Sequence, residues 1–137
     1  MDILTSLGKT EFIVWLWVFA GTFALHELEE WNILRWYRRN YVDLPPSSDQ
    51  AVRAWIVLVV LIGCIWCAAA TLPGNPVFAA YVFLPAIAVA LQNALQHVYW
   101  LLYFRQYAPG IVTSLFGLIP LGVFLFIRAI GDNLVPL

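Results

Sequence analysis

The side chains best suited to chemistry gather in "FALHELEEWNILRW", residues 23–36, where His26, Glu27, Glu29 and Glu30 follow directly on an apolar run. On a helix, residues at i, i+3 and i+4 share a face, so His26, Glu29 and Glu30 point together while Glu27 is turned about 100° away. The same offsets recur in "LQNALQHVYW", where Asn93, Gln96 and His97 form a second polar face. Two imidazoles, two carboxylates and an amide are the donor types of a divalent transition-metal site, with zinc, iron or manganese the fitting ions. His26, Glu29, Glu30 and His97 are the expected ligands. A metal would relieve the repulsion between Glu29 and Glu30 and polarise a water or carbonyl, leaving one glutamate as general base and Asn93 as a donor to developing charge. Without metal, a glutamate and a histidine would exchange a proton with a substrate, as an isomerase requires. Tyr107, in "YAPG", adds a hydroxyl that approaches from the rim.

The elements that carry these residues are membrane helices. Of 137 residues, 63% are hydrophobic and 11% charged, and the mean hydropathy of +0.83 lies far outside the range of water-soluble domains. A helix of about 20 residues crosses a bilayer core about 30 Å thick. On that measure the expected spans are 12–32, 54–72, 77–104 and 111–130, in one membrane domain covering 1–137. Between Phe12 and Leu25 the first span is purely apolar but too short to cross, so a full crossing carries His26, Glu29 and Glu30 into the membrane. "VDLPPSSDQ" stops the first helix and offers Ser47 or Ser48 as a cap for the second; "LPGNP" and "YAPG" make the other connections, and Pro120 predicts a kink. Nothing alternates as a barrel strand does, so the fold class is all-α, a four-helix membrane bundle.

Arg35, Arg38, Arg39 and Arg53 flank the first connection and Arg105 the third, against Lys9 and Arg128 on the other side. This bias predicts a cytoplasmic first and third connection, both termini outside, and a cytoplasmic-side girdle that includes Trp31, Trp36, Tyr37, Trp55, Trp100 and Tyr107. The first segment begins with Asp2, Lys9 and Glu11 and lacks a basic leader, so it is expected to remain in the mature protein. His26 precedes Arg35 by nine positions and His97 precedes Arg105 by eight, which places both histidines roughly 12 to 14 Å from an arginine on the same side. They are therefore expected to share one layer. The competing reading makes His26, Glu29 and Glu30 an interfacial helix end paired with arginines, a role assigned to Glu27 in either case, and makes Asn93, Gln96 and His97 interhelical hydrogen-bonding groups. Cys64 and Cys67 read as small buried residues, and there is no basic patch for nucleic acid.

Three motifs in order, H-x-x-E-E at 26–30, N-x-x-x-H at 93–97 and Y-x-P-G at 107–110, resemble the HXXEE-motif integral membrane proteins, mostly bacterial and of unknown function. The resemblance covers effectively the whole chain and implies a compact protein of the bacterial cytoplasmic membrane whose signature residues are of catalytic or metal-binding type. The resulting expectation is a membrane enzyme, hydrolase or isomerase, acting on a lipid or other lipophilic substrate. A b-type haem carrier with His26 and His97 as axial ligands, and a proton-coupled transporter that would need a homodimer, are the alternatives.

Overall fold

In the computed structural model, the backbone is described for residues 3–136 and side chains for residues 12–136; Asp2 and the side chains of Lys9 and Glu11, used above for topology and retention, lie outside these. Helix α1 spans Ile3–Glu29, α2 Ile33–Asn40, α3 Asp49–Thr71, α4 Pro76–Phe104 and α5 Ile111–Gly131, with no strand among the described residues. Four of these are long and apolar enough to cross a membrane, the crossing part of α1 being Phe12–Glu29. The protein is an all-α integral membrane bundle.

Helix boundaries follow local chemistry. Ser48 Oγ accepts from the Ala51 amide at 3.1 Å and opens α3. Asn75 Oδ1 accepts from Val77 and Phe78 ahead of α4, with Pro76 where a missing N–H costs nothing. Near Pro120, α5 widens into a π turn, Ser114–Leu118, in which the Ile119 amide donates to the Ser114 carbonyl. The expected kink thus takes the form of an inserted residue just before the proline. Helix α1 ends at Glu29, earlier than the sequence suggests. The turn after it is held to α3 by Arg53, which donates to Asn32 Oδ1 at 2.8 Å and lies 5.5 Å from the Trp31 ring. The short α2 then runs with Ile33, Leu34 and Trp36 buried and its arginines outward, as an interfacial helix does.

The middle of the bundle is an apolar layer of Phe12, Leu16 and Phe19 from α1, Phe83 and Ile87 from α4, and Leu118 and Leu125 from α5. Ala70, Ala79, Ala80 and Ala129 let the backbones approach closely, which is how packing substitutes for the hydrophobic effect in lipid. A second cluster of Ile33, Trp36, Trp100 and Ala108 joins α2, the end of α4 and the 105–110 connection. Trp36 and Trp100 are therefore buried, whereas Trp55 and Tyr107, expected in the same girdle, are exposed.

Candidate metal centre

The last turn of α1 sends its three glutamates in three directions. Measured from His26 at about 100° per residue, Glu29 lies about 60° to one side, Glu30 about 40° to the other and Glu27 about 100° beyond. Glu30 therefore points at α4, Glu29 at α5 and Glu27 at α3.

Glu30 Oε1 lies 3.0 Å from His26 Nε2 and 2.8 Å from His97 Nε2. The two imidazoles, both fully buried, meet edge to face with centroids 4.9 Å apart. One donor atom from each of His26, Glu30 and His97 falls within 4.8 Å of the others, a spacing that could hold a metal ion. Hydrogen bonding sharpens the argument. Glu30 Oε1 and both ring nitrogens of His97 are buried yet have no properly directed hydrogen bond among the described residues. Close polar atoms that do not satisfy one another are costly in a low-dielectric setting, and a cation among them removes the cost. Tetrahedral bonds of about 2.0 to 2.2 Å put neighbouring donors about 3.3 Å apart, so the two contacts of Glu30 need only a small expansion, while the third pair lies within 4.8 Å.

The outer contacts fix the orientation of these side chains. His26 Nδ1 is 2.9 Å from Thr113 Oγ1, and that hydroxyl donates to Glu29 Oε2 at 2.6 Å. With the Thr113 proton committed to Glu29, His26 Nδ1 carries the hydrogen and Nε2 presents its lone pair to the cluster, where the Asn93 amide donates to it at 3.1 Å. Glu29 is thus not among the clustered donors. It accepts from Tyr107 Oη at 2.7 Å, Val112 N at 3.1 Å and Thr113 N at 2.9 Å, and so caps the first turn of α5.

The "YAPG" connection forms the roof. Gly110 has φ of +88°, and a Cβ there would stand 2.7 Å from His97 Cε1 and 2.8 Å from His26 Cε1. Both the backbone conformation and the proximity of two imidazoles require glycine. Trp36 Nε1 donates to the Tyr107 carbonyl at 2.9 Å, and Ala108 is buried beneath it, so α2 clamps the roof in place. Burial first, then the hydrogen bond and charge of Glu29, push the Tyr107 phenol up to about 12.

Of the residues expected in the site, His26, Glu30, His97 and Asn93 meet directly, Glu29 and Tyr107 stand behind them, and Gln96 is exposed. The distance ruler also needs amendment: α4 is continuous to Phe104, but the helix carrying His26 breaks before Arg35, so the equal spacing to an arginine does not by itself explain the meeting. Sequence reasoning missed Thr113 and Gly110, and it sent Glu27 outward. Glu27 is 7% exposed and, together with Glu30 and Asn93, lines a cavity of about 540 Å³ between α1, α3 and α4. No local signal distinguishes Thr113 from any other threonine in an apolar helix. Cys64 and Cys67 are free thiols away from this cluster.

Residues 17–125 match a family model described as a protein of unknown function with HXXEE motif. Neither the curated proteins nor the solved structures contain a match to this chain.

Proposed function

The chain belongs to the HXXEE-motif family of proteins of unknown function, and from that premise we propose that it is a metal-dependent membrane hydrolase acting on a lipophilic substrate. The observation that carries this reading is the approach of Glu30 Oε1 to two buried imidazoles without a directed hydrogen bond to either. His26, Glu30 and His97 would hold a divalent zinc, iron or manganese ion, and Glu30 also lines the cavity from which a substrate would approach. Such an ion polarises a carbonyl or acidifies a water. Thr113 keeps His26 in the ligating tautomer, and Glu29 orients Thr113. Glu27 faces the same cavity as Glu30 without being a member of the donor cluster, which leaves it available to accept a proton from the attacking water. Asn93, released from His26 Nε2 when that nitrogen ligates, donates to charge developing on the substrate.

Proton exchange for isomerisation would use the same carboxylate, but it does not need three converging metal donors. Axial haem ligation is disfavoured because Glu30 contacts both Nε2 atoms, where a flat macrocycle would have to pass between the rings. A proton path is disfavoured because Phe12, Leu16, Phe83 and Leu118 fill the layer next to the site. The end bearing Arg35, Arg38, Arg39, Arg53 and Arg105 is taken as cytoplasmic, with both termini outside and the bacterial inner membrane as the setting.

The test is metal analysis of detergent-purified protein loaded in turn with zinc, iron and manganese, beside His97→Ala and Glu30→Gln. Wild type is expected to retain metal stoichiometrically and both variants to lose it. A folded wild type that retains none of the three ions sinks the proposal.

A further inference from the structure

The cavity beside the metal centre does not end at its polar residues. Glu27, Glu30, Asn93 and Tyr37 line its arginine-side end, and Phe23, Val59, Val89 and Ala90 line the other. Those same four apolar residues also line a second cavity, of about 160 Å³, which continues between α1, α3 and α4 to Trp66 and Phe83. Sharing these four wall residues, the two volumes adjoin, a polar head and an apolar tail that extend from the site toward the middle of the bundle.

The head has a definite electrostatic character. Glu27 is 93% buried by difference from its 7% exposure, it lines the cavity, and no group among the described residues donates a hydrogen bond to it or pairs with it. A buried carboxylate demands a donor. Among the described residues no arginine or lysine lines either cavity; Arg53 is turned to Asn32 and Trp31, and Arg38, which donates to the carbonyl of the lining Ser47 at 2.8 Å, is paired with Asp49. Away from the donor cluster, a phosphate or carboxylate head would meet the Glu27 carboxylate with no arginine or lysine lining the wall beside it, a repulsive arrangement. A hydroxyl head donates to Glu27 and introduces no charge. The tail section is narrow and offers carbon throughout, which suits one chain and not two.

We propose that this passage binds a single-chain neutral lipid with a hydroxyl head, a long-chain alcohol or an ester or amide bearing one, with the hydroxyl on Glu27 and the chain along Phe23, Val59, Ala90 and Phe83. The inference rests on the hydrolase reading in one respect only, that the ester or amide form is the substrate, the free alcohol occupying the same passage without being cleaved. One carboxylate oxygen of Glu27 then holds the head while the other remains to accept the proton of the attacking water, and the ester or amide bond is placed toward His26, Glu30 and His97.

A photoactivatable long-chain alcohol tests this on the detergent-purified full chain, with labelled peptides mapped by mass spectrometry. Label is expected on α1, α3 and α4 residues of the passage. It is expected to fall at least tenfold when excess unlabelled alcohol is added, and not with the fatty acid of equal length or a diacyl phosphatidylcholine. Ala90→Trp fills the junction between the cavities and is expected to abolish labelling while metal content stays at the wild-type level. Gly63→Leu, on α3 where a Cβ meets only Phe23 at 3.5 Å, repeats the block from the other wall should Ala90→Trp fail to fold. Labelling unchanged by a folded blocking variant, or competed equally by fatty acid or phospholipid, overturns the proposal. Saturable labelling in a wild type that retains no metal would sink the hydrolase reading and leave the lipid passage standing; retained metal without saturable labelling would do the reverse.

Discussion

At the arginine-side end of the bundle Glu29 alone accepts four hydrogen bonds, from Tyr107, Val112 and both donors of Thr113, and each histidine has a polar atom within 3.0 Å. One layer away, Phe12, Leu16, Leu118 and Leu125 are buried with no polar side-chain atom to place. Lipid is as apolar as leucine, so the second region is held by close packing and tolerates rotation or sliding wherever volumes are conserved. In the first region, directed bonds hold Glu29, Thr113 and His26 in one arrangement. The difference teaches a division of labour: packing in the apolar layer sets how stable the bundle is, and the hydrogen-bonded end sets where each donor atom stands.

Gly110 is where both kinds of constraint fall on one residue, and it gives the largest expected effect. Gly110→Ala adds left-handed strain and a carbon pressed against two imidazoles, together about 2 to 6 kcal/mol. Gly21→Ala, in mid-helix with nothing near its Cβ, should instead gain about 0.5 to 1 kcal/mol. Denaturant unfolding of both variants in one detergent measures the contrast, and equal effects would show that the roof does not press on the histidines.

Next in size is a paired substitution across the two regions. Leu118→Ala opens the packed layer at a cost of about 2 to 5 kcal/mol while metal content is expected to stay at the wild-type level. Glu30→Gln keeps the volume, changes the apo protein's stability little, and is expected to remove the metal. If Leu118→Ala empties the site as fully as Glu30→Gln does, the two regions are not separable.

Thr113→Val sharpens the comparison inside the polar end. It keeps the shape and deletes the hydroxyl that links His26 to Glu29. Metal affinity should fall about 10- to 100-fold, as for other groups that orient a ligand, with Thr113→Ser restoring it. Affinity unchanged in Thr113→Val would mean that the histidine is oriented by packing alone.

The fold was legible because span length and turn composition are local properties, and the acidic cluster drew notice because the apolar stretch before it is too short to cross. His97 was legible as a partner because "NALQH" repeats the offsets of "HELEE". What stayed hidden is which neighbour each flank of α1 would meet. Glu29 and Glu27 lie on opposite flanks of Glu30, and only the positions of α5 and α3 decide that one becomes a helix cap and the other a cavity wall. Thr113 was invisible for the same reason, since a threonine in an apolar helix acquires its role only when α5 docks against α1.

The smallest effect belongs to Tyr107, at the exposed edge of the polar region. Tyr107→Phe removes one hydrogen bond to Glu29, worth about 1 kcal/mol, and leaves that carboxylate its three bonds to Val112 and Thr113. The pH dependence identifies the bond. Because the folded phenol ionises at about 12 against an ordinary value of 10.0, its contribution is fully present below pH 10 and is lost as pH rises through 12. The stability gap between wild type and Tyr107→Phe should therefore be constant at neutral pH and close across that alkaline window, as unfolding midpoints at stepped pH would record. A gap that ignores pH would assign the tyrosine to ring packing and move the border between the two regions inward, to Glu29.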